Sequence, residues 1–504
     1  MERRLILAIA LSLLVLLSWS AWVSKKYPIE NKEVTKEKPP IAPPAETIAS
    51  LSSESITPAT ALFKFSQEKC EITFIEPLAA IREIVFKAYR DHKFPLKNGF
   101  LIADNALVFK KENSSPETVT FVHSDQSKRI VKKFIFSNSS YSMGLDIEIQ
   151  NLSNLPLKVN LPLILGTLDY SSQNIQARYQ DVTVASKDKT LRSNARQNVT
   201  FEKVNFLALR DRYFCALIEP EVDSYTGFIR KINPQESEIG LSFPDITLLP
   251  GQQIGHKFRI YLGPQELKLI SQIKPEWSVV INYGTFNFIS QILLQLLEFF
   301  YRLAHNWGWA IVIFSLVMYI IVYPLTLKQM RSMKEMQSLQ PHIEELRKIY
   351  KDNPQKLNKE IMELYRQHKV NPLGGCLPLI LQMPIFFALY QALLRSVALK
   401  GASFFWIKDL SEPDRLIVLT KSLPMIGNEI NILPIVMAIG MFFQQKISMG
   451  STASGSAEQQ KLMLVMFPVM FGFIFYHMPS GLVLYWFINS SLMLVNQLRI
   501  SGKR

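Results

Sequence analysis

His477 and Ser480 are the two residues placed as a base and a nucleophile would be. They share one short turn, His477-Met478-Pro479-Ser480-Gly481. Hydrolysis inside a membrane needs a buried nucleophile and a base on separate supports, and a single turn gives both the same support. There is no Walker loop, no HExxH, no GxGxxG after a strand-like run and no paired carboxylate within an apolar stretch. The seven histidines are scattered, and Cys70, Cys215 and Cys376 form neither a CxxC nor a zinc spacing. Neither a metal, a cofactor nor enzymatic catalysis is expected. Cys70 and Cys215 fall in one domain and would be free to form a disulfide if that domain is extracytoplasmic. Nothing in the sequence fixes their distance.

The chain does carry polarity without charge, set inside apolar runs. Ser315, Tyr319 and Tyr323 share one run. Gln382, Tyr390 and Gln391 share a second, Gln444 and Gln445 close a third, and Tyr485, Asn489, Ser490 and Asn496 lie in a fourth. Spacing by four puts 315, 319 and 323 on one helix face. Two readings compete. The groups bond helix to helix, at about 0.6–2 kcal/mol each, or they line a partly hydrated groove. Residues 371–394 are entered through Asn371-Pro372 and Gly374-Gly375 and hold Pro378 and Pro384 as well as the two glutamines. Such irregularity favours the groove, because polar and broken backbone is tolerated in lipid only beside protein or water.

The elements that must position these groups follow from hydropathy. Six runs, 5–23, 307–326, 373–394, 431–447, 462–478 and 481–498, are long enough or nearly so to cross a ~30 Å hydrocarbon core. The 56 basic residues against 42 acidic give a net +14. In a soluble chain that would suggest nucleic acid. In a polytopic membrane protein it is the cytoplasmic enrichment of Lys and Arg, so no specific nucleic-acid partner is expected. Arg3 and Arg4 hold the start inside, and the poor small-x-small match at Ser18-Trp19-Ser20 argues for an uncleaved anchor over 1–23. Residues 24–60, with Pro39-Pro40 and Pro43-Pro44, read as a solvated linker.

Over 61–268 the period changes to two. Leu145, Ile147 and Ile149 alternate with Asp146, Glu148 and Gln150, and Phe258, Ile260 and Leu262 with Lys257, Arg259 and Tyr261. This predicts an extracytoplasmic antiparallel β-sandwich. The connector 269–305 contains an apolar stretch, 286–304, broken by Gln291, Gln295, Glu298 and Arg302, which suits a helix lying in the membrane interface. The second span, 306–326, leads into 327–370, where ten Lys and Arg face six Asp and Glu. One stripe there runs through Met330, Met333, Met336, Leu339, Ile343, Leu346 and Ile349. A second runs through Leu357, Ile361, Leu364, Tyr365 and His368, with Asn353 and Pro354 as its cap and first residue. This predicts a cytoplasmic helical hairpin. Its methionines form the seam between the two helices or an adaptable surface for nascent chains. Residues 371–504 supply spans three to six and a short cytoplasmic tail. The fold class is a polytopic α-helical membrane protein of six spans, five forming the core, with a β-sandwich on one side and the hairpin on the other.

The chain resembles, over essentially its whole length, the YidC membrane protein insertases in the form found in bacteria with two membranes. The most specific stretches are Tyr323-Pro324-Leu325-Thr326, Leu339-Gln340-Pro341, Lys369-Val370-Asn371-Pro372-Leu373-Gly374-Gly375-Cys376, Gln382-Met383-Pro384-Ile385-Phe386 and Pro479-Ser480-Gly481-Leu482-Val483-Leu484-Tyr485. The resemblance implies an inner-membrane protein with both termini cytoplasmic and the sandwich periplasmic. It implies an insertase and chaperone for nascent membrane proteins, acting alone or with the Sec translocon. The expected groove comprises Ser315, Tyr319, Tyr323, Gln382, Gln391, Gln444, Tyr485 and Asn489, and the resemblance adds Trp486 beside Tyr485. Clients or a ribosome would meet the hairpin at Met330, Met333, Met336, Arg347 and Lys348. The tail after the sixth span is too short to serve as a long basic ribosome contact. The family usually places an arginine where this chain has Tyr319, so polarity without charge must serve here. A solute transporter would show repeats and intramembrane ionisable groups, and neither is present. A purely structural receptor, with a ligand on its sandwich, is the remaining rival.

Overall fold

The computed structural model describes residues 61–501, apart from 105, 138–139, 172–178, 187–188, 223–224, 352, 369, 371–376, 424–426 and 450–456, and apart from some side chains within helices, those of Met330 and Met333 among them. The expected anchor over 1–23, the linker 24–60, Cys376 and the final three residues lie outside the described residues.

A long antiparallel sheet dominates the first half. Its order is Lys189–Ser193, Asp181–Ser186, Val204–Arg210, Phe214–Pro220, Gln253–Pro264, Ser142–Asn151, Lys128–Phe136, Thr118–Ser124 and Lys110–Ser114. A four-stranded sheet (Leu62–Ser66, Cys70–Ile75, Ala80–Phe86, His92–Gly99) and a five-stranded one (Val199–Phe201, Thr226–Asn233, Glu236–Ser242, Leu163–Asp169, Leu101–Ile102) accompany it. The two-residue period sets the faces. Met143, Leu145, Ile147 and Ile149 point into the core, and Leu145 lies opposite both Phe134 and Phe258. Phe74 of the four-stranded sheet meets Phe134 and Phe121 of the long one at 5.1 and 5.5 Å between ring centroids, and Phe86 stacks on Phe214 at 4.2 Å. Burying rings of this size is worth about 25 cal/mol per Å² of apolar surface.

Two details depart from the simple alternation of apolar-in and polar-out. Tyr261, expected on the solvent side, is fully buried, because Trp277 of the connector covers the far face of its strand. Its hydroxyl donates to the Pro264 carbonyl at 2.7 Å. Lys132 is also fully buried, on the core face between Ile130 and Phe134. Its Nζ donates to the carbonyls of Ala79 (2.6 Å) and Phe100, two residues held in the left-handed region. Burial drives its pKa well below that of a free lysine. Cys70 and Cys215 remain unbridged thiols, and burial raises both, Cys70 to about 11.

The second half is helical: α1 (Leu267–Ile273), α2 (Asn287–Ala304), α3 (Trp307–Ser338), α4 (Gln340–Ile349), α5 (Pro354–Gln367), α6 (Leu377–Arg395), α7 (Ile432–Met449), α8 (Ala457–Phe475) and α9 (Ser480–Ser501). Trp307–Lys328 in α3 and Ser480–Arg499 in α9 are long and apolar enough to cross a membrane; Ile432–Ile447 and Leu464–Phe475 are shorter apolar stretches. α3 does not stop at 326. It runs unbroken through Pro324 to Ser338. Met330, Met333 and Met336 therefore extend α3 and do not belong to a hairpin helix of their own. The expected stripe breaks at Leu339, and Pro341 sits in the first turn of the next helix, where its missing amide costs nothing. Asn353 caps α5 as its sequence predicts, accepting from the Lys356 amide at 3.1 Å. α9 packs against α3, α6 and α7, and α2 packs against α3 and α6.

The sandwich is pinned to this helical core by arginines. Arg212, 6% exposed, donates to the carbonyl of Leu394 at the end of α6 (2.7 Å), to that of Ser411 (2.8 Å) and to Glu412 (3.1 Å). Arg90 reaches the Gly401 carbonyl, and Arg210 joins Asp181 to the carbonyls of Val280 and Asn282 in the connector.

Candidate functional site

α9 organises the polar groups. Tyr485, Asn489, Met493, Asn496 and Arg499 recur every three or four residues. At 3.6 residues per turn they occupy about a third of the helix circumference and about 21 Å of its length. Each neighbouring helix delivers a partner to this stripe. Gln382 of α6 donates to the Tyr485 hydroxyl at 2.7 Å. Gln444 of α7 reaches the Met493 sulfur at 3.6 Å. Tyr319 of α3 lies beside Asn496 and within electrostatic range of Arg499. Tyr323 extends the same surface, its ring 5.8 Å from that of Tyr319. Asn489 donates back to the Tyr485 carbonyl at 3.0 Å.

Exposure changes along the stripe. Near the start of α9, Tyr485 is fully buried and packs on Phe314 at 5.8 Å between centroids. Toward the other end Gln444, Tyr319, Tyr323 and Asn496 are half-buried and Arg499 is exposed. Among the described residues, none of the groups pairing with the stripe from α3, α6 or α7 is charged. A chain segment meeting this surface would find hydrogen-bonding groups and one cation at its open end.

Several expected residues behave otherwise. Ser315 shares the face of Tyr319 and Tyr323, yet it is fully buried and its hydroxyl is closed on the Ile311 carbonyl of its own helix at 2.7 Å. Gln391 stands nine residues from Gln382, half a turn away on α6. Its side chain faces the connector at Gly284, whose Cα would place a Cβ 3.7 Å from the Gln391 amide carbon. Trp486 points away from the stripe into a cluster with Phe386, Phe475 and Phe471, at 5.2, 5.5 and 5.9 Å. Met336, at the end of α3, is half-buried, and Lys348 of α4 is exposed. The Ser480 hydroxyl donates to the Asp409 carbonyl at 3.0 Å, and His477 is exposed, so that turn holds two loops together. Met493 and Arg499 were not singled out from sequence. Their three- and four-residue spacing from Tyr485 was the available signal.

Apolar helices and an antiparallel β domain docked on their end define a membrane protein with a large extramembrane domain. Residues 299–504 match the family described as 60Kd inner membrane protein, and residues 95–296 match the YidC periplasmic domain. The membrane protein insertase YidC of Pelobacter propionicus is 31% identical over 557 residues, covering 99% of each chain. That of Syntrophobacter fumaroxidans is 34% identical over 398 residues, 77% of this chain and 71% of its own. A crystal structure of an active YidC insertase with its first transmembrane domain resolved superposes with a TM-score of 0.41 at 20% identity, over 86% of this chain and 92% of that one. The chain belongs to the YidC family of membrane protein insertases, bacterial inner-membrane proteins with a periplasmic β-rich domain.

Proposed function

We propose that this protein inserts and helps fold client membrane proteins without an energy source, alone or together with the Sec translocon. The stripe of α9 and its partners from α3, α6 and α7 form the client groove. The reading takes six spans, both termini and the α4–α5 hairpin in the cytoplasm, and the sandwich in the periplasm. On that topology the half-buried end of the stripe opens toward the cytoplasm. Arg499 then supplies the positive charge that Tyr319 does not. Met330, Met333, Met336, Arg347 and Lys348 face arriving clients or a ribosome.

The energetics need no fuel. A client span of about 20 apolar residues gains about 0.3–0.6 kcal/mol per residue on insertion, roughly 6–12 kcal/mol in all. A charged residue on the flank that must cross costs about 2.5–3.5 kcal/mol at mid-bilayer. The net is downhill and the barrier is kinetic. Hydrogen-bonding groups that grade from buried to exposed along about 21 Å of helix shorten the dry path.

One observation carries the reading. Polar side chains from three helices converge on a single face of a fourth, and that face grades from dry to exposed. Reconstituted into liposomes, the full chain should insert a small single-span protein without ATP. Tyr319→Arg should retain activity, while Tyr319→Leu should slow clients with charged flanks more than neutral ones. Solute flux without insertion would favour a transporter, and neither activity would favour a structural receptor.

A further inference from the structure

Away from the groove, a cleft of about 310 Å³ lies between α2 and the base of the sandwich. This volume is at the lower end of small-molecule sites, about 300–1,000 Å³. α2 presents three distinct faces, as angles of about 100° per residue require. Leu293, Leu297 and Phe300 are buried against the helical core. Phe288, Ile292, Phe299 and Leu303 are exposed and apolar. Gln291, Leu294, Gln295, Glu298, Tyr301 and Arg302 line the cleft. The exposed apolar face lies about a quarter-turn from the cleft face, so one molecule can touch both.

The cleft is charged in a specific way. Glu298 is paired with Lys268 at 2.5 Å, and Glu266 receives the Tyr89 hydroxyl at 2.9 Å. Burial raises the Glu266 pKa, so a cation beside it would be welcome. Arg302, although four residues from Glu298 on the same face, makes no ion pair or hydrogen bond among the described residues; nor do Gln291 and Gln295. Trp307 and Tyr301 stack at 4.2 Å along one side, the kind of amphipathic aromatic pair favoured at a membrane interface.

We propose that this cleft binds the headgroup of a phospholipid carrying a primary ammonium, of the phosphoethanolamine type, with its acyl chains along the exposed apolar face of α2. Arg302, with five N–H donors, takes the phosphate, helped by the amides of Gln291 and Gln295. Glu266 and Glu298 accept from the three N–H groups of the ammonium. A glycerol headgroup offers no cation to the carboxylates. A trimethylated ammonium offers no N–H donor. The inference rests on α2 lying in the membrane interface.

The test is native mass spectrometry of the delipidated full chain. It is titrated with phosphatidylethanolamine, phosphatidylglycerol and phosphatidylcholine of matched chains, and separately with soluble phosphoethanolamine and inorganic phosphate. Phosphatidylethanolamine should bind about tenfold more tightly than the other two lipids, since one lost charge-assisted contact is worth at least that factor. Arg302→Gln should weaken binding of all three lipids alike, since each carries the phosphate, and Arg302→Lys should restore part of that affinity. Glu266→Gln together with Glu298→Gln should erase the preference for phosphatidylethanolamine. The soluble headgroup and free phosphate should bind far more weakly, because they lack the chains. Equal binding of the three lipids by the unaltered chain, an affinity untouched by Arg302→Gln, or a preference untouched by the paired Glu266→Gln and Glu298→Gln change, would overturn the proposal. So would free phosphate binding as well as lipid. Client insertion is read separately. Wild-type insertion by the chain carrying Glu266→Gln and Glu298→Gln, with the lipid preference gone, leaves the proposed function standing, and intact preference with no insertion leaves the lipid site standing.

Discussion

Arg212→Met should disturb the helical side of the joint with the sandwich more than removing the sandwich altogether. Methionine keeps the apolar stem and the volume while deleting the guanidinium. The carbonyls of Leu394 and Ser411 then lose their donors at 2.7 and 2.8 Å in a place that excludes water. Each orphaned buried acceptor costs about 1–3 kcal/mol. Glu412 adds little, since its side chain is 31% exposed and keeps Arg415 at 3.5 Å. The joint should weaken by about 2–5 kcal/mol, which is roughly a 30- to several-thousand-fold rise in local opening. The reporters are the amides of Leu410, Ser480 and Gly481, bonded to the carbonyls of Ala402, Glu412 and Leu410. Their hydrogen exchange should accelerate by that factor in the full chain. Deleting 61–268 instead exposes the same carbonyls to water, which satisfies them, so the truncated protein should still insert clients. Unchanged exchange of all three amides in Arg212→Met would refute the reasoning, as would a folded, membrane-located truncation that inserts nothing.

Gly308→Ala places a Cβ 2.0 Å from the Phe404 ring. It should destabilise by about 1–3 kcal/mol in thermal unfolding, and Phe404→Ala in the same chain should show a compensating coupling. Burial lowers the pKa of Lys132 well below the ordinary lysine value in the folded state. Its folded pKa lies below the unfolded value, so unfolding takes up a proton and stability rises with pH up to the unfolded pKa near 10.4. Melting the full chain at pH 8 and pH 10 should show this rise diminished in Lys132→Met; an identical pH dependence would count against a neutral buried lysine. Deleting 340–368 removes α4 and α5 but leaves α3 whole, and only Ile343 is buried within it among the described residues. The remaining helices should fold to wild-type levels while client insertion in depleted cells falls.

The sequence by itself determined what local periodicity can carry. Alternation identified the core face of Ser142–Asn151, residue by residue, because each pleat is set by its own backbone. The apolar runs located the helices, and Asn353 with Pro354 announced the start of α5, because a cap and its first turn are neighbours in the chain. The membership of the polar site was only half legible. Spacing by four correctly joined Tyr319 to Tyr323, yet Ser315 on the same face closed its hydroxyl on its own helix. Gln382 and Gln391 looked alike in sequence, but half a turn of α6 sends one to Tyr485 and the other to the connector. Gln382 and Tyr485 are 103 residues apart, and Arg212 and Leu394 are 182 apart. Only tertiary packing decided which of these polar groups met a partner, which met a neighbour's backbone and which were left facing open space. Hydrogen bonds across such separations depend on how whole helices rotate against one another, and no short window of sequence encodes that rotation.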